Sequence, residues 1–127
     1  MRVVIALLFT VITTQLYAQK EIKPDEVKDH IGDSVMVQGK ISGVRFLETN
    51  SRTLINVGAP YPNQVFTIVV LPDVRNQLHV IPTSNDAGNI VWVTGRVELY
   101  KGKPQIVVKN IHQLDIIQNM QKDLDLE

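Results

Sequence analysis

The chain has 127 residues, no cysteine and a formal net charge of zero. That length allows one small domain. The missing cysteine excludes disulfides, thiolate nucleophiles and cysteine-ligated zinc, and the neutral balance excludes a strong whole-molecule field toward nucleic acid or membrane.

The first 18 residues stand apart. Met1-Arg2 gives a positive start, Val3 to Ile12 is apolar except for Thr10, and Leu16-Tyr17-Ala18 precedes Gln19. This is the pattern of a secretory signal, with cleavage expected after Ala18 and a periplasmic or secreted product. A spanning helix needs roughly 20 apolar residues, and this run is about half that. The remaining chain, 19–127, carries 12 basic and 13 acidic residues, a net of −1. A single core must hold it.

Pro24, Asp25 and Glu26 suit the first turn of a short helix, where proline lacks only an unneeded N–H and acids face the positive dipole end. Gly32 suits its end. Asp33 to Leu47 alternates, with Val35, Val37, Gly39 and Ile41 on one face, and predicts a long half-buried strand. Gly39 and Gly43 predict a bend or bulge in it, after which Val44 and Phe46 take the apolar positions. Phe46 fits core and edge equally.

Glu48 to Ser51 is a polar turn. Arg52 to Val57 is a second strand. The loop 58–63 holds two prolines around Tyr61, which would present that ring rigidly. Val65 to Leu71 is a third strand, with Phe66, Ile68 and Val70 pointing inward and Thr67 and Val69 outward.

Residues 72–88 are irregular, with one helical turn after Pro72. Asn89 to Tyr100 is a fourth strand, with Val91, Val93, Val97 and Leu99 expected inside and Trp92, Thr94, Arg96, Glu98 and Tyr100 outside. The turn Lys101-Gly102-Lys103-Pro104 leads into a fifth strand, Gln105 to Lys109, which Ile111 to Ile116 could extend. Residues 118–127 form a polar, acidic tail.

Five strands, one long and bent, with little helix, predict an all-β fold. Closure removes the edges of a five-stranded sheet, and the order of elements fits the five-stranded Greek-key OB barrel with a short N-terminal helix. An SH3-like barrel is the rival architecture. The expected organisation is a signal peptide over 1–18, the OB domain over 19–117 and the tail.

Three stretches, DEVKDHIGDSVMVQGKISGVRF, LINVGAPYPNQVFTIVV and VWVTGRVELYKGKPQIVVKN, resemble the small OB-fold domains of secreted and periplasmic bacterial proteins, found beside extracellular endonucleases. The resemblance covers roughly residues 22 to 116. It implies a non-catalytic module that binds single-stranded DNA or RNA; the chain departs from the nuclease-associated members in that no catalytic domain is expected to follow. A cell-envelope protein partner and an oligosaccharide are the competing ligands.

Nucleic-acid binding needs cations for phosphates and exposed aromatics for stacking. The OB ligand face lies on strands two and three, between loops one-two and four-five. The first loop is expected to supply Arg45 and Arg52, and the second Lys101 and Lys103. Tyr61, Arg96, Tyr100 and Gln105 complete the expected nucleic-acid site. Residues 34–115 hold eight basic and five acidic residues, a net of +3, and the segments on either side are acidic. The three histidines lie far apart, no catalytic motif occurs and the acids are scattered, so no enzyme, metal or cofactor is expected.

Overall fold

The computed structural model describes residues 19–120. The signal-peptide reading and residues 121–127 of the tail lie outside the described residues. Among the described residues seven strands run in chain order: β1 (Lys20–Ile22), β2 (Ser34–Leu47), β3 (Arg52–Val57), β4 (Phe66–Val70), β5 (Ile90–Tyr100), β6 (Lys103–Val108) and β7 (Leu114–Ile117), with a short helix, α1 (Pro72–Gln77), between β4 and β5. Among the described residues no helix is long and apolar enough to cross a membrane.

β2 is shared between two halves of the fold. Ser34–Lys40 pairs with β5, and Ile41–Leu47 pairs with β3. β3 continues to β4, β4 runs parallel to β6, and β6 returns to β5. The circuit β2-β3-β4-β6-β5 therefore closes on itself. This is the expected five-stranded OB barrel. β1 adds to β2 in parallel and β7 adds to β5, so the sheet has seven strands rather than five. Ile111 to Ile116 does not extend the fifth strand: a 3₁₀ turn at Ile111–Gln113 redirects the chain to the other half of β5.

Alternation along each strand fills the barrel. Val35, Val37 and Ile41 of β2, Ile55 and Val57 of β3, Phe66, Ile68 and Val70 of β4, Val91, Val93 and Val97 of β5, and Ile106 and Val108 of β6 share one core. Val27 is buried in the core from a 3₁₀ helix, Pro24–Asp29, the short N-terminal helix that the sequence predicts. That segment ends at its cap His30, and Gly32, two residues further on, has φ 89°, the left-handed conformation expected of it.

Three expectations change. The bulge in β2 falls between Ile41 and Gly43, and Gly39 is needed for another reason. A Cβ there would overlap Val57 Cγ1 and crowd Pro24 Cγ. Leu99 is in phase with Val97 but 56% exposed. β6 joins β4 only from Gln105 onward, so the Leu99–Pro104 pair lies beyond the closed barrel. Finally, the tight turn holds only Lys101 and Gly102, both at positive φ (49° and 77°), as a two-residue hairpin turn requires. Lys103 and Pro104 already belong to β6.

Candidate nucleic-acid interface

The outward residues of β2, β3, β4 and β6 form the floor of one groove. Cross-strand pairs set its rows: Gly43 with Asn56, Asn56 with Thr67, and Thr67 with Gln105 make one row; Arg45, Leu54 and Val69 make the next. The segment between β3 and β4 stands on one side, carrying Tyr61. The β5–β6 hairpin brings Tyr100, Lys101 and Lys103. The groove encloses about 510 Å³.

Seven of the eight sequence-predicted residues line it: Arg45, Arg52, Tyr61, Tyr100, Lys101, Lys103 and Gln105. Arg45 and Arg52 are strand residues beside the β2–β3 turn rather than members of it. Arg96 lies elsewhere. It pairs with Ser34 and lines a separate cleft with Thr94, Lys109 and Gln113. β5 changes partner between Arg96 and Val97, from β2 to β6, so Arg96 and Tyr100 share a strand face but not a site. Trp92 sits between Gln38 and Asp115 on the same distant half. Phe46 faces the barrel edge, where the Arg75 guanidinium covers its ring at 4.3 Å from the centroid.

Charge is distributed unevenly. Four of the eight basic residues in 34–115 line the groove, and none of the five acidic ones does. Among the described residues, Arg45, Arg52, Lys101 and Lys103 form no ion pair; the one present is His30 with Asp33 at 3.1 Å. The groove is therefore a local cationic site in a neutral chain, where field lines focus on an anionic ligand.

The aromatics are open. Tyr61 is 68% and Tyr100 57% exposed. Each ring has a lysine near its face, Lys103 at 5.9 Å from the Tyr61 centroid and Lys101 at 5.4 Å from that of Tyr100. Lys103 Nζ also donates to the Pro62 carbonyl at 2.8 Å, tying the hairpin to the opposite segment.

The floor contains groups that the sequence reading passed over. Asn56 and Thr67 point outward yet are only 7% and 9% exposed. Gln64 Nε2 donates to Thr67 Oγ1 at 3.2 Å, and Thr67 Oγ1 donates to Asn56 Oδ1 at 3.3 Å. The signal was present: each is the polar residue inside an apolar strand, LINV and FTIVV. Among the described residues no cluster of three potential metal ligands occurs.

No protein-family model matches the chain, nor does any curated protein. Solved structures do. Yeast Stn1 and Ten1 are similar with a TM-score of 0.55 and 10% identity, covering 88% of this chain and 70% of that one. An OBody bound to hen egg-white lysozyme is similar with a TM-score of 0.52 and 18% identity, covering 82% of this chain and 99% of that one. The fold is an OB barrel. Asparaginyl-tRNA synthetase from Pyrococcus horikoshii is similar with a TM-score of 0.53 and 14% identity, covering 81% of this chain and 24% of that one. The chain thus spans about a quarter of the synthetase chains it resembles. At these identities the likeness concerns the OB barrel alone.

Proposed function

We propose that this protein is a non-catalytic OB-fold module that binds single-stranded nucleic acid outside the cytoplasm. One observation carries the reading: four cations and two exposed tyrosines surround one acid-free groove on the β2-β3-β4-β6 face. Phosphates meet Arg45, Arg52, Lys101 and Lys103, and bases stack on Tyr61 and Tyr100. Stacking tolerates any base, because every base has a π-face. The placement outside the cytoplasm rests on the signal-like residues 1–18.

The test is fluorescence anisotropy with a labelled oligonucleotide at several salt concentrations. Neutralising phosphates releases counterions, so affinity must fall steeply with salt, and more shallowly in the double variant Lys101→Ala, Lys103→Ala. Binding that ignores both salt and the double variant defeats the proposal.

A second reading, an envelope protein partner, is favoured by another surface. Val80 and Ile111 are exposed in a cleft of about 620 Å³ beside β7, an edge strand of the sheet among the described residues. Co-purification with an envelope protein, without oligonucleotide affinity, would select it.

A further inference from the structure

A groove that served charge alone would need cations on its rims and nothing fixed on its floor. This floor is fixed. Asn56 lies at its centre, between Gly43 and Thr67 on neighbouring strands. A side chain on the outer face of a sheet ordinarily rotates in solvent, but Asn56 is 7% exposed and its carboxamide is held. The holding is directional. A hydroxyl has one proton to give. Thr67 accepts from Gln64 Nε2 and gives its proton to Asn56 Oδ1. The Asn56 carbonyl is therefore occupied and its Nδ2 is turned away from Thr67. Among the described residues Nδ2 has no partner, and it is not one of the polar atoms closed off from solvent. The groove floor thus presents a donor of set orientation, below the level of the open tyrosines.

We propose that Asn56 is a specificity-determining residue, presenting Nδ2–H to an acceptor on the edge of an unpaired nucleobase, with Thr67 and Gln64 as its positioning residues. The inference rests on the single-strand reading and deepens it: the ligand is a strand with exposed base edges, read by hydrogen bonding as well as by charge and stacking. Ring nitrogens and carbonyl oxygens of bases are such acceptors, and an asparagine amide is a common partner for them. Paired strands hide these edges. Polyanions without bases lack them.

The experiment separates hydrogen bonding from stacking and charge. The protein is titrated into a labelled thymidine oligomer of about eight nucleotides, a length within the reach of one OB domain. The second ligand is the same oligomer with each thymine replaced by difluorotoluene, an apolar isostere that stacks but accepts poorly. The native protein is expected to bind the thymine oligomer about tenfold more tightly, the effect of one good hydrogen bond. In Asn56→Leu the ratio falls below about twofold, the isostere oligomer binding as before. Thr67→Val, which keeps shape and releases the carboxamide, lowers the ratio in the same direction, and it carries the test if Asn56→Leu does not fold by circular dichroism. Equal binding of the two oligomers by the native protein overturns the inference and leaves the single-strand reading standing. A ratio that survives both substitutions overturns it too. No binding of either oligomer removes both readings.

Discussion

Lys103 Nζ donates a hydrogen bond to the carbonyl of Pro62 across 2.8 Å, joining two walls of the groove that are 41 residues apart in the chain. The same ammonium lies 5.9 Å from the Tyr61 ring centroid. One side chain therefore sets the position of an aromatic wall and supplies a charge to the site. Lys103→Met keeps the aliphatic stem and removes both. Because the contact is exposed, global stability should change by at most about 1 kcal/mol. Amide hydrogen exchange should rise in the segment 58–65 and stay unchanged in the core strands.

The four cations should be separable from a fifth by salt dependence. Arg45→Ala and Arg52→Ala should each lower the slope of log affinity against log salt by about one. Arg96→Ala, in its separate cleft beside Ser34 and Gln113, should leave the slope unchanged. An equal effect of Arg96 would mean that the ligand track crosses both halves of the barrel.

Tyr61 and Tyr100 should contribute through their rings rather than their hydroxyls. Tyr100→Ala is expected to weaken oligonucleotide binding by about 1–3 kcal/mol, the range for one stacked base, and Tyr100→Phe to preserve it. The same pair at Tyr61 tests the opposite wall. Anisotropy titrations read both.

Two glycines of β2 should behave differently. Gly39→Ala places a Cβ against Val57 and Pro24 in the packed interior. Overpacking of this kind costs about 1–3 kcal/mol, visible as a lower denaturant midpoint. At Gly43 nothing lies within 4 Å of an added Cβ. Gly43→Ala should be close to neutral for stability, although its methyl enters the groove and can be read as a change in ligand affinity.

The hairpin offers a test of where the barrel ends. Val97 is 1% exposed and Leu99 56%. Val97→Ala should cost about 2 kcal/mol, as truncation in a core does. Leu99→Ser, two residues further along the same strand face, should stay within about 0.5 kcal/mol.

These contrasts show how far the sequence could be read. Period-two alternation placed the inward residues of β2, β4 and most of β5, because burial on one face imposes that period. It misplaced Leu99, since alternation records which way a residue points and not whether anything lies there to cover it. β1 is three residues long, KEI, too short for any period, and exists through its pairing with β2. β7 was mistaken for a continuation of β6, because a change of sheet partner leaves no mark on hydrophobicity. The cations and tyrosines of the site were legible as residue types beside the expected loops. Their gathering depends on cross-strand register, which is why Arg96 was wrongly grouped with them. The Asn56–Thr67–Gln64 relay leaves no mark on the hydrophobic period, because it forms between side chains that only cross-strand register brings together.

The barrel closes where Ser34–Lys40 meets Ile90–Arg96, segments roughly fifty to sixty residues apart in the chain. The chain must lose the entropy of that large loop before the pairing rewards it, which places folding among the slower, millisecond-to-second topologies. β3 and β4 are neighbours in sequence and can pair early, giving Asn56 and Thr67 their register at once. The Tyr100 to Lys103 wall can complete the groove only after β6 has docked beside β4. Ligand competence should therefore trail secondary structure during refolding, so that a stopped-flow oligonucleotide signal lags the far-ultraviolet one.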